Sequence, residues 1–330
     1  MSMPRILGVT ALGLIGVLAL AGCATQPAAE AERATPKATT VTVEDNNGTH
    51  KISTPPKSVV ATDNRTFQTL SDWGIELAAG AVALMPTTVD YKTDKDIIDL
   101  GNHNEPDLES VVAVEPDLII NGQRFTQHHD KLASLVPDAT ILELDPREGE
   151  PFDDELKRQV TVLGEVFGKQ KEAKKLVDDF DAAVARAKDA YDDADKVMAV
   201  TTSGGEIGYI APQVGRTLGP IFDLLGLTPA LEVEGATDDH QGDDISVEAI
   251  AESNPDWILV MDRDAVFADQ EPNYKQAAEI LESSEALASV TAVKGDQIVY
   301  MPTDTYLNES IQTYTEFLND FADALEKSEK

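Results

Sequence analysis

The sequence holds one cysteine, Cys23, in 330 residues, so no disulfide can form within the chain. It is also poor in positive charge. Only 26 basic residues stand against 60 acidic ones, for a formal net charge of −34 at pH 7. A field of that sign repels nucleic acid and anionic lipid headgroups, and neither is an expected ligand. No Gly-x-Ser-x-Gly elbow, no phosphate-binding Gly-x-x-x-x-Gly-Lys loop and no His-Glu-x-x-His helix occurs along the chain. With these motifs absent, and the lone thiol read below as a lipid-bearing one, the chain is not expected to be an enzyme. The shortage of cations makes each arginine in a candidate pocket informative, because an anionic ligand would have to be held locally against the global field.

Arg5 precedes an almost wholly apolar run from Ile6 to Leu20, too short to read as a membrane span. The run ends in Leu20-Ala21-Gly22-Cys23, which resembles a bacterial lipoprotein signal whose cysteine becomes the acylated first residue. Residues 1–22 are therefore expected to be a lipoprotein signal peptide. Residues 23–40 would be the lipidated Cys23 and a flexible tether rich in Ala, Thr, Pro and charge. That resemblance implies a protein on the extracytoplasmic face of a membrane, held by lipid alone.

The remaining stretch of about 290 residues is long for one core and suits two lobes. Short apolar runs at Val59, Leu118, Ile141, Val197 and Trp257 alternate with helical periods, the pattern of parallel α/β units. The segment from Val41 to Ile52 predicts a small hairpin turning at Asn46-Asn47-Gly48. Residues 153–194 contain no strand-like run, and from Lys169 the positions Ala173, Leu176, Val177, Phe180, Val184 and Ala187 keep a helical period. A helix of about two dozen residues there would form a rigid strut between an N-terminal lobe, residues 41–152, and a C-terminal lobe, residues 195–330.

An internal repeat carries the functional argument. Glu109 is followed by Pro116-Asp117, an apolar strand and then Arg124; Glu248 is followed at the same spacings by Pro255-Asp256, an apolar strand and Arg263. Asp107 and Ser246 stand where each would cap a helix. Ligands of open parallel sheets bind beyond the carboxyl ends of the strands, so the two arginines are expected on opposite walls of one cleft.

At these residues the chain resembles the substrate-binding proteins of ABC importers for siderophores, haem and cobalamin. The likeness runs from about Ile52 onward, through Pro106-Asp107-Leu108-Glu109, Asn121-Gly122-Gln123-Arg124, Ala211-Pro212-Gln213-Val214-Gly215-Arg216 and Val260-Met261-Asp262-Arg263. The resemblance implies a type III periplasmic-binding-protein fold, two Rossmann-like α/β lobes with parallel sheets joined by a long linker helix. Within the cluster it is nearest to lipoproteins for ferric catecholates of the petrobactin and enterobactin type. It implies ligand contacts at Arg124, Arg216 and Arg263, with His240 and Tyr306 as ligand or direct iron contacts. Glu109 and Glu248 would dock onto a permease driven by a cytoplasmic ATPase. No intrinsic cofactor is expected, and the protein is expected to act as a monomer.

Arginine suits a rigid, anionic, aromatic chelate, because it stays charged, donates in a planar fork and stacks on rings. Haem is the alternative ligand, with Tyr306 or His240 axial and the arginines meeting propionates. His128-His129 reads as a surface pair, since neighbours on a helix diverge by about 100°. Trp73 and Trp257 read as core.

Overall fold

The alternation of apolar runs and helical periods is realised as two βα lobes in a computed structural model that describes residues 39–328. The expected leader, Cys23 and the expected tether as far as residue 38 lie outside the described residues. The expected hairpin is present: β1 (Thr39–Glu44) pairs antiparallel with β2 (Thr49–Thr54). Its turn is held by the Asp45 carboxylate, which accepts from the backbone N–H of Asn47 at 2.7 Å and of Gly48 at 2.9 Å.

The first sheet contains β3 (Val59–Ala61), β4 (Ala79–Gly80), β5 (Ile98–Asp99), β6 (Leu118–Asn121) and β7 (Thr140–Glu143). Their order is β5-β4-β3-β6-β7, and every pair is parallel. The second contains β8 (Lys196–Ser203), β9 (Glu206–Ile210), β10 (Thr228–Pro229), β11 (Trp257–Asp262) and β12 (Ile298–Tyr300). Its order is β10-β8-β11-β12, with β9 antiparallel to β8. The expectation of parallel sheets is corrected at β9 alone. Gly204 and Gly205, at φ 61° and 84°, let the chain reverse in two residues, which makes a hairpin where a crossover was expected.

Both faces of each sheet are buried, and the strand period of two divides them. Leu118 and Ile120 of β6 enter a large central core, while Ile119 packs with Leu108 and Val111 on the other face. In β11, Trp257, Leu259 and Met261 enter the central core, and Ile258 and Val260 pack with Ile250 opposite. Trp73 and Trp257 are 8% and 1% exposed, as core residues should be.

The strut is longer than the single helix expected from Lys169. A helix over Phe152–Phe167 precedes the 21-residue helix Gln170–Ala190, which spans about 32 Å at 1.5 Å per residue. The C-terminal helix Ile311–Ser328 returns to the long helix, where Arg186 bonds Glu326 and Asp323. Phe321 of that helix meets Trp257 edge to face, with ring centroids 5.7 Å apart, and so joins the strut to the second sheet.

The repeat has a physical content. Asp107 accepts from the Ser110 N–H and Ser246 from the Ala249 N–H, each at 3.1 Å, capping the helices Leu108–Ala113 and Val247–Ser253. The residues before the two prolines, Glu115 and Asn254, take left-handed φ values of 45° and 44° and end their helices. The aspartate after each proline then holds the neighbouring strand. Asp117 accepts from the N–H of Lys57 at 2.9 Å and Ser58 at 3.0 Å, and Asp256 from Lys196 at 2.9 Å.

Candidate functional site

β6 and β11 deliver the two repeat arginines. After β6 the chain passes Gly122, where a Cβ would lie 2.5 Å from the carboxyl carbon of Asp63, so only glycine fits. Gln123, at φ 53°, then starts the short turn Gln123–His128 that carries Arg124 outward. Arg263 follows β11 directly, its backbone N–H donating to Thr202 at 3.1 Å.

Both guanidiniums reach the Tyr306 hydroxyl, Arg124 at 3.1 Å and Arg263 at 3.5 Å. Arg216, from the loop after β9, completes the group. The guanidinium carbons of Arg263, Arg216 and Arg124 lie 4.6, 5.6 and 6.0 Å from the Tyr306 ring centroid, within cation–π range. The His240 ring is 6.4 Å from that of Tyr306, centroid to centroid. Burial, and then the Arg263 charge, push the His240 imidazole below its ordinary value, which favours the neutral ring with a free lone pair. Thus the five pocket residues named from sequence stand together at the mouth between the lobes.

Their electrostatics are not those of three free cations. Arg216 is held by Glu309 through Nε and Nη2, each at 3.2 Å. Glu309 also accepts from Thr217 at 2.5 Å and Gln123 at 3.1 Å, and lies 3.4 Å from Arg65. Burial alone would raise the Glu309 carboxyl. The charges of Arg216 and Arg65, with the bonds from Arg216 and Thr217, outweigh it and pull the group down to about 2. Arg263 is paired with Asp264 at 2.6 Å. Arg124 has no ion pair among the described residues. Glu309, Arg65 and Asp264 escaped the sequence reading. Asp264 abuts a named arginine, but no spacing marks the other two.

Glu309 also links the lobes, since Arg65 and Gln123 come from the first and Arg216 and Thr217 from the second. Arg65 bonds Asp145 at 3.0 Å as well. Nearby, Gln68 accepts from Asn308 at 2.9 Å and from Ser310 at 3.0 Å. Between Arg124, Arg216 and Tyr306 the lobes leave only about 30 Å³, while a cavity of about 500 Å³ opens beside Arg263, bounded by Ser203, Gln241, Phe267 and Tyr274. That larger volume lies in the range of small-molecule sites.

The remaining named residues are elsewhere. Glu109 and Glu248 are exposed in the first turns of their capped helices. His128 meets the His103 carbonyl at 2.8 Å, while His129 bonds Glu143 at 3.0 Å. The pair diverges as expected, but both rings are half-buried and engaged where free surface positions were expected. Among the described residues no group of three His, Cys, Asp or Glu side chains could hold a metal ion.

Comparison with known proteins follows the same lines. The periplasmic binding protein family model matches residues 59–305. The petrobactin-binding protein YclQ of Bacillus subtilis is 27% identical over 289 residues, 86% of each chain. The ferric-anguibactin-binding protein FatB of Vibrio anguillarum is 30% identical over 253 residues, covering 76% of this chain and 77% of its own. Among solved structures, the periplasmic catecholate-siderophore binding protein VctP of Vibrio cholerae superposes with a TM-score of 0.74 at 22% identity, over 86% of this chain and 99% of that one. With the match spanning both lobes and every strand from β3 to β12, this chain belongs to the periplasmic binding protein family.

Proposed function

We propose that this protein captures a ferric siderophore, of catecholate type, outside the cytoplasmic membrane and presents it to an ABC import permease. The observation that carries the reading is the convergence of Arg124, Arg216 and Arg263 on the Tyr306 ring across the two lobes. Guanidiniums around an aromatic ring make a surface for a rigid, anionic, aromatic chelate, with charge-assisted donors to its oxygens and ring faces for stacking. Relatives named for petrobactin and anguibactin support the same class. Iron enters as cargo within the chelate; His240 and Tyr306 would supply a nitrogen and an oxygen where a siderophore leaves coordination positions open.

The lobes take residues 41–152 and 195–330, with 153–194 as the strut, and the protein acts as a monomer. Cys23 is the lipid-bearing residue, and the segment to residue 40 tethers the body to the membrane. Glu109 and Glu248 are the permease contacts, one exposed carboxylate from each lobe at equivalent places in the repeat. Such paired carboxylates match a partner that presents basic side chains at two related positions.

Titrating the chain from Ala24 onward with ferric catecholates, ferric hydroxamates and haem, by intrinsic tryptophan fluorescence, tests the reading. Saturable submicromolar binding of catecholates alone supports it. Tight haem binding with a Soret shift, and no catecholate binding, moves the ligand to haem on the same fold.

A further inference from the structure

The cations of the cleft are not equally free. Arg216 gives two hydrogen bonds to Glu309, and Arg263 gives one to Asp264 at 2.6 Å. Arg65, behind them, is held between Asp145 and Glu309. Arg124 meets only the uncharged Tyr306 hydroxyl among the described residues. A guanidinium with a carboxylate against it acts at a distance as a dipole, whose field falls away faster than that of a lone charge. Glu309 is 1% exposed, so little water screens it, and it stays ionised down to about pH 2. The Asp264 carboxylate is fixed on its other side by the Gly204 N–H at 2.5 Å.

Counted this way, the three arginines around Tyr306 present about one uncompensated positive charge, that of Arg124, since Arg65 is paired with Asp145. The cavity beside Arg263 adds little, because Glu271 stands with Lys275 in its wall. Beyond the cleft the field is strongly negative, from a formal net charge of −34, and it opposes each further negative charge on a ligand.

We propose that Glu309 and Asp264 are specificity-determining residues that set the charge of the ligand. By neutralising Arg216 and Arg263 they tune the cleft to a monoanionic ferric chelate over a trianionic one. The inference rests on the reading of this cleft as a ferric-chelate site. Iron(III) bound by two catecholates is a monoanion and by three a trianion, so one ligand chemistry supplies both charges. Glu309 is in addition a positioning residue, since it aims Arg216 at the Tyr306 ring.

Equilibrium dialysis of the wild-type protein and of Asp264→Asn and Glu309→Gln, against the iron(III) complexes of a linear bis-catecholamide and of a tris-catecholamide, reads the ratio of the two affinities. Wild type should bind the monoanion at least tenfold more tightly, and each substitution should shift the ratio at least tenfold toward the trianion. A purely structural role would weaken both complexes together and leave the ratio where it was. Should Glu309→Gln fail to fold, Asp264→Asn decides the matter, because Asp264 lies in a partly exposed loop. A wild-type preference for the trianion, or an unchanged ratio in Asp264→Asn, overturns the inference while leaving the proposed function in place. Failure of the wild type to bind either complex overturns both.

Discussion

The guanidinium of Arg124, carried at the end of the first sheet, donates to the hydroxyl of Tyr306 in the second lobe at 3.1 Å. Among the described residues, the contact is the one direct bond between an unpaired cleft cation and the aromatic centre of the site. Arg124→Ala should therefore weaken binding of a ferric catecholate by at least about 1.5 kcal/mol, the low end for a hydrogen bond to a charged group. The loss should shrink at high salt. Calorimetric titration at two ionic strengths checks this; an affinity unaffected by the substitution would remove Arg124 from the site.

The exposed pair Glu109 and Glu248 makes a separate prediction. Replacing both with Ala should leave ligand affinity and thermal stability nearly unchanged, since surface changes are usually within about 0.5 kcal/mol. Cellular uptake of the ferric chelate should be lost. Retained uptake in the double variant would end the docking assignment.

A pH dependence follows from Asp63. Its carboxyl is wholly buried, and burial first, then the charge of Asp145, push it up to about 8 from 3.8. The folded protein thus holds a proton that the unfolded chain has already released across that window. The contribution is complete below the unfolded value and is lost as pH rises through about 8. Glu309 has the opposite sign: drawn down to about 2, it stabilises above its ordinary value of 4.5, and that contribution is lost as pH falls through about 2. Tm should fall between about pH 5 and about pH 8, and Asp63→Asn should flatten that slope. Thermal scans showing parallel slopes for the two proteins would contradict the account.

Gly122 offers a test of the scaffold. A methyl group there would meet the Asp63 carboxyl at 2.5 Å, and overpacking of this kind costs about 1–3 kcal/mol. Because Gly122 leads directly into the Arg124 turn, Gly122→Ala should lower both Tm and affinity. A variant as stable as wild type would mean that Asp63 can yield at no cost.

Much of this architecture is written in short stretches of chain. The span from Glu109 to Arg124 contains a helix with its cap before it, a left-handed residue, a proline, an aspartate and a strand, and the span from Glu248 to Arg263 repeats them. Each of those signals acts within a few residues, through backbone sterics and local hydrogen bonds. The reading from sequence therefore placed the hairpin at Asn46-Asn47-Gly48, the long helix after Lys169 and the arginines at the strand ends. It ran the helix Phe152–Phe167 into one linker region with the long helix, although Gly168, at φ 68°, ends the first, and it missed the reversal of β9 at Gly204-Gly205.

The sequence by itself determined the two lobes, the strand ends and the residue types offered to the cleft, because propensity, capping and apolar period are local properties. The tertiary structure alone decided how much positive charge those residues present. Glu309 lies 93 positions from Arg216, and Tyr306 lies 182 from Arg124. Coulomb energy depends on distance and on exclusion of water, and neither exists for such pairs until both sheets have packed against the strut.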